Sequence, residues 1–298
     1  MSITVDVETT GLVDQISDAI RKRQCILFLG AAVHAPPPDG SDFVYPEAVR
    51  PPLGSALSLS LAQKCGLDGR FPHEDPKDLQ RVALFYEIDR TRRQLVEAIR
   101  EAVHVGKKPS PMLRALAELD FPRVVTTNYD QLFESALRSA GKDPRVSVYT
   151  PRREPTRDFP SPTPESPIVF KIHGDIDHEE SIVVTDEDYI KFLLRMSDKD
   201  PYDPVPLKLK ADLTEWTTLF VGYSLLDYNL RVLFQALRWG IDPAYQPDMF
   251  SVDFSPDPLI LYVWKTRESL KFVVQNVWAF VPELYERVLG KAIPDYEP

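Results

Sequence analysis

The chain has 298 residues, 43% hydrophobic and 27% charged, which is enough apolar material to bury a core as one large domain or two small ones. Its 45 acidic residues against 35 basic ones give a formal net charge of -10, so a broad phosphate-binding surface, and with it direct nucleic-acid binding, is not expected. Two cysteines, Cys25 and Cys65, exclude both a disulfide framework and a four-cysteine zinc site.

Residues 1–10 lack the basic and apolar regions of a secretion signal, and no apolar run approaches the length of a membrane span, which predicts a cytoplasmic protein. Val13, Ile16 and Ile20 recur at helical spacing between charged residues and predict an amphipathic first helix. The run Cys-Ile-Leu-Phe-Leu over 25–29, stopped by Gly30, predicts a parallel strand that feeds a ligand loop. Residues 35–52 then carry Pro36, Pro37, Pro38, Pro46, Pro51 and Pro52, too much proline for a helix or a central strand. A long loop over the strand end is expected there, either a lid or a surface excursion.

Helical spacing returns over 55–64, 78–88, 92–103 and 111–118 with no strand between, which suggests a small helical module over 54–120 inserted in a single domain spanning 1–298. A short strand over 123–126 leads through Thr127-Asn128-Tyr129-Asp130 into a helix that ends near Gly141. After a further strand over 146–149 and a second proline-rich loop, residues 168–175 read Ile-Val-Phe-Lys-Ile-His-Gly-Asp, a buried strand with His173 at its carboxyl end and Gly174 closing it.

Beyond it come Asp175, Asp177, Glu179 and Glu180, read as a solvated loop, since their spacing with His178 matches no metal site. Strands are expected over 182–184, 217–221 and 259–263, with a capping-box-like Thr-Asp-Glu-Asp at Thr185 and a helix over 227–239. Trp264, Trp278 and Phe280 suit either core or contact. The alternation predicts a doubly wound, Rossmann-like α/β fold with a parallel sheet.

In such a sheet the strand ends converge on one crevice, and four of them carry polar or glycine turns: Gly30-Ala31-Ala32, the 126–130 turn, His173-Gly174-Asp175 and Gly222-Tyr223-Ser224. In order and spacing this set resembles the sirtuin-like family, in particular its bacterial SIR2-like branch found in antiphage defence, over roughly residues 15–263. The resemblance implies a sirtuin-type fold and hydrolysis of NAD to nicotinamide and ADP-ribose. It implies Asn128 and His173 as the catalytic pair, with Asp130 supporting. It also implies NAD contacts at Gly30, Ala31, Ala32, His34, Thr127, Gly174, Gly222, Ser224 and Asp227.

Read from the residues alone, Asn128 or Asp130 could equally cap the following helix, and Ser224 and Asp227 the next one. The family's turn reads Gly-Ala-Gly followed by a residue and Ser. Here the third glycine is Ala32 and the serine is His34, which predicts loosely held NAD and activity that depends on assembly. The zinc ribbon of protein-deacylating sirtuins is missing, so deacylation is not expected, and no metal is expected for NAD cleavage. The resemblance further implies a homo-oligomer beside a HerA-like ATPase. Two other function classes fit the residues: an NAD or ADP-ribose sensor without catalysis, and a metal-dependent nuclease using the acidic run.

Overall fold

The computed structural model of the chain describes residues 6–152, 154, 159, 161–197, 202–223, 247–267 and 270–296. Among them lies a seven-stranded parallel sheet of β1 (Cys25–Leu29), β2 (Arg123–Thr126), β3 (Arg145–Val148), β4 (Ile168–Lys171), β5 (Thr217–Val221), β6 (Met249–Val252) and β7 (Leu270–Val273). Its order is β3-β4-β2-β1-β5-β6-β7. β1 is central, with Leu27 opposite Val124 on one side and Leu219 on the other. The chain first builds outward from β1 through β2, then returns to β1 and builds the other way through β5, so the order switches between β1 and β5.

Both faces of the sheet are covered, which is why β1 reads as unbroken apolar residues rather than an alternation. Leu27 and Leu29 face a layer formed by α1 (Asp6–Arg21), α6 (Pro111–Glu118), α7 (Leu132–Ser139) and α11 (Val277–Leu289). Ile26 and Phe28 face α8 (Asp186–Ser197), α9 (Leu207–Glu215) and α10 (Pro258–Arg267), where Phe192, Leu213 and Trp264 are buried. Trp264, Trp278 and Phe280 are all core.

A third apolar cluster joins α2 (Gly54–Cys65), α4 (Leu79–Asp89) and α5 (Arg92–Val103), with the short α3 (Leu67–Arg70) between α2 and α4. These helices pack on Ile176, Ile182 and Val184, the segment that follows His173. Both thiols are buried, and burial pushes each above the ordinary cysteine value.

Two expected strands are corrected. Residues 182–184 are extended but join no ladder. Side chains serve their backbone instead: the Asp188 carboxylate accepts from the Val184 and Thr185 N–H groups, and the Tyr129 hydroxyl donates to the Val183 carbonyl at 2.7 Å. Thr185 Oγ1 accepts from the Asp188 N–H in turn, which completes the expected box. Residues 259–263 lie in α10, not a strand. Asp257 accepts from the Leu259 N–H at 2.9 Å and Pro258 opens the helix, a start signal that outweighs the β-branched run after it. The late strands are β6 and β7.

The proline-rich 35–52 segment is fastened to the body. The Trp278 indole N–H donates to the Ala35 carbonyl at 3.2 Å, the Tyr45 hydroxyl donates to the Lys108 carbonyl at 2.8 Å, and Phe43 and Tyr45 pack on the Trp278 ring.

Candidate active site

At the switch between β1 and β5, the loops that follow the two strands cross backbone to backbone. The Ala32 N–H donates to the Gly222 carbonyl at 2.9 Å, and the Gly30 N–H to the Val221 carbonyl at 3.0 Å. A Cβ on Gly30 would lie 2.4 Å from the Gly222 oxygen, and one on Gly222, where φ is +79°, would lie 2.5 Å from the Val33 nitrogen. The need for glycine therefore falls on positions 30 and 222. Ala32 sits in a 3₁₀ turn over Ala31–His34, and Arg23 is the one non-glycine residue with positive φ among those described. Ala32 therefore takes no left-handed backbone in this turn.

Beside this crossing opens a cavity of about 360 Å³, walled by Ala31, Ala32 and His34 after β1, by Thr127, Asn128 and Asp130 after β2, by His173 after β4 and by Gly222 after β5. Residues remote in sequence close it: Pro51, Pro52 and Leu53 at the end of the proline-rich loop, and Leu57, Leu79 and Val103 from the helical cluster. Gly30 and Gly174 adjoin the lining residues Ala31 and His173 in the chain without lining the cavity themselves. Ser224 and Asp227, and the helix expected over 227–239, lie outside the described residues.

Asn128 caps no helix. Its amide reaches towards the Gly30 carbonyl at 3.5 Å, while its N–H donates to Thr126 Oγ1 at 3.0 Å, whose hydroxyl in turn donates to the Leu29 carbonyl. Asp130 does accept from the Leu132 N–H at 2.9 Å at the start of α7, and its other oxygen faces the buried His34. Burial presses the Asp130 carboxyl upward, but His34, Lys171 and the Leu132 N–H outweigh it and hold the group below the usual carboxylate range.

His173 is buried with its ring edge-on to Tyr189 and Phe192, centroids 5.3 and 5.2 Å away. Burial pushes its pKa down to about 3, so the imidazole is neutral throughout the physiological range. Behind it Gly174, at φ +91°, lets the Ser181 carbonyl come where a Cβ would stand. The acidic run is solvent-facing beyond the buried Asp175, with Asp177 and Glu180 exposed, but its first two carboxylates are engaged: Asp175 pairs with Lys171 and accepts from Gln131, and Asp177 accepts from Gln131 and pairs with Arg100. Among the described residues no three His, Cys, Asp or Glu side chains are grouped to hold a metal.

A second cavity of about 430 Å³ shares Ala32, Gly222 and Tyr223 with the first and extends over Val252, Asp253 and Asn276. Asp253 follows β6 and Asn276 follows β7, two strands where the sequence reading has one over 259–263; the Met-Phe-Ser-Val run before Asp253 was the available signal. A larger cavity, about 620 Å³, lies at the opposite, amino edge of the sheet between Arg23, Arg123 and Trp216. Arg123 is paired there with Asp212 and Arg23 with Asp120, so its size does not make it the reactive centre.

A SIR2-like domain matches residues 122–271. The chain is 31% identical over 239 residues to the NAD(+) hydrolase ThsA of Enterococcus faecium, an overlap of 79% of this chain and 44% of that protein. It is 30% identical to the NAD(+) hydrolase ThsA of Bacillus cereus (strain MSX-D12), over 76% of this chain and 48% of the relative. The Defense-associated sirtuin 2 of Bacillus subtilis is 27% identical over 55% of this chain and 16% of its own length. The chain thus spans less than half the length of these curated relatives. The matched domain covers half of the chain and contains both the turn that bears Asn128 and the strand end that bears His173, and on that footing the chain belongs to the SIR2-like family.

Proposed function

We propose that the chain cleaves the nicotinamide N-glycosidic bond of NAD, giving nicotinamide and ADP-ribose, as an antiphage defence effector. The observation that carries this reading is the crevice at the β1/β5 switch: two cavities meet over the Gly30/Gly222 crossing, and one of them holds Asn128 with a neutral His173. A dinucleotide laid across the crossing has room for one half on each side, with its diphosphate over the 3₁₀ turn.

Nicotinamide leaves as a neutral molecule from a cationic ring, so departure needs no acid. The C1′–N bond breaks with its electron pair going to the nitrogen, and the ribose becomes oxocarbenium-like. Asn128 orients the ribose and a water whose oxygen bonds to C1′. That water then carries a positive charge and is strongly acidic, so even as weak a base as buried His173 takes its proton. NAD is the substrate, and no step uses a metal. The same site holding NAD without cleaving it would be a sensor; nicotinamide release separates the two. The nuclease reading draws less support, because Lys171, Gln131 and Arg100 engage two carboxylates of the acidic run, Asp175 and Asp177.

The resemblance, rather than any surface feature of the described residues, supports a multimeric working state beside a HerA-like ATPase, and the two cysteines, too few for a zinc ribbon, support a role other than zinc-dependent deacylation. The deciding experiment incubates the purified protein with NAD, with and without the products of its neighbouring genes, and measures nicotinamide. Release is expected, and its absence under every condition overturns the reading.

A further inference from the structure

Lys171 lies in β4 with no exposed side-chain surface, a place a lysine seldom occupies without partners. Its ammonium donates to the main-chain carbonyls of Tyr129, at 3.1 Å, and of Asp130, and pairs with the carboxylates of Asp175 at 2.6 Å and Glu134 at 3.2 Å. These partners sit on three different pieces of the site: the turn after β2, the strand end after β4 and the start of α7. Asn128 directly precedes Tyr129, and His173 follows Lys171 by two residues.

Apolar side chains of similar volume at 171, 134 and 175 together would avoid the desolvation of an ammonium and two carboxylates, and replacing a whole buried ion network in that way is often neutral for stability. What no apolar side chain supplies is the pair of bonds to the Tyr129 and Asp130 carbonyls. Those bonds join the turn that carries Asn128 to the strand that carries His173, the two groups that must face one ribose. We propose that Lys171 is a positioning residue that sets Asn128 against His173 by holding these two carbonyls, a role that rests on the NAD-cleaving reading of the site.

The test must separate geometry from stability. Lys171→Met alone leaves Glu134 and Asp175 buried beside no cation and is expected to be destabilised. Lys171→Met combined with Glu134→Gln removes one buried negative charge together with the positive one, and should melt closer to the wild type. If Lys171 serves stability alone, the double variant regains turnover along with its melting temperature. If it positions the turn, kcat stays down by about a hundredfold, because a displacement of about 1 Å in a reacting group costs that much. KM then changes less than kcat, by no more than about tenfold, since of the cavity walls only the turn after β2 is displaced.

Amide hydrogen exchange gives a readout that needs no substrate: the Asn128 and Leu132 amides should exchange at least about tenfold faster in the double variant, with β1 unchanged. Turnover within about threefold of the wild type, unaltered exchange in the turn, or a double variant that does not fold would each overturn the proposal. If the wild type releases no nicotinamide, the NAD reading falls by itself, and the exchange measurement still decides whether Lys171 holds the turn.

Discussion

His34 Nε2 lies 3.5 Å from Asp130 Oδ2, with His34 only 2% exposed, and neither ring nitrogen of His34 has a hydrogen-bond partner among the described residues. The contact is longer than a normal hydrogen bond, so the imidazole stands in the cavity wall with donor and acceptor capacity unused. A ligand that reached these nitrogens would satisfy them, whereas the empty protein bears their desolvation. His34→Ala should therefore weaken NAD or ADP-ribose binding by about tenfold with little change in melting temperature, because relief of the imidazole's desolvation offsets the loss of its contact with Asp130. Calorimetric titration beside thermal melting checks it.

The neutral His173 fixes a dependence on pH. Its folded pKa, about 3, lies below the unfolded value of about 6.5, so the unfolded state binds the proton first and the contribution to stability, complete above 6.5, is lost as pH falls towards 3. Between pH 6.5 and pH 5 the wild type should lose about 2 kcal/mol more stability than His173→Gln, measured by denaturant unfolding at both pH values. Over that interval NAD cleavage should show no acid limb near pH 6.5. A limb at that point would mean that the histidine in the working enzyme is not the buried one described here.

The glycine crossing makes opposite forecasts for neighbouring positions. Gly222→Ala places a Cβ against the Val33 nitrogen at a φ of +79° and should cost at least about 2 kcal/mol, along with NAD turnover. Ala32→Gly relieves nothing, since position 32 has no left-handed backbone, and should lower stability by about 0.5–1 kcal/mol through the unfolded chain with no gain in activity. Thermal melting and initial rates of the two variants distinguish this from a defect at Ala32 that glycine repairs.

Cation dependence is the simplest contrast. With Asp175 and Asp177 engaged by Lys171, Gln131 and Arg100, nicotinamide release by the purified chain should persist in EDTA. Activity lost in EDTA and restored by manganese or zinc would transfer the chemistry to a metal-bound water.

How much of this was legible in the sequence follows from what each residue does locally. The expected spans of β1, β2 and β5 match the observed ones, because a strand buried on both faces reads as a short stretch of apolar and β-branched residues closed by a turn. The helices over 92–103 and 111–118 were equally plain from their apolar spacing, and in the structure Thr91 and Ser110 cap them. Ile182 to Val184 misled because apolar periodicity reports burial and is silent on whether the backbone finds a ladder or a side chain such as Asp188. Asn128, His173 and His34 could be placed at strand ends, and the structure brings them to one cavity. The closure by Pro51, Pro52, Leu57 and Val103 was not readable, since it depends on how an inserted helical cluster folds back over the sheet. Nor was Lys171, which looked like an interruption in an apolar strand until its carbonyl partners were in view.

The place of β1 in the sheet also bears on synthesis. Ribosomes deliver β1, β2, β3 and β4 within the first 171 residues, and these strands are neighbours, so half of the sheet, with Asn128 and nearly with His173, can form while the remainder is untranslated. The partner on the other side of β1 is β5, which begins only at Thr217, and with it comes Gly222. A nascent or prematurely terminated chain therefore carries Asn128 and His173 without the crossing over which a dinucleotide would lie. On the proposed NAD-cleaving reading, activity would wait until β5 and Gly222 have been made, which spares the cell that is making the protein.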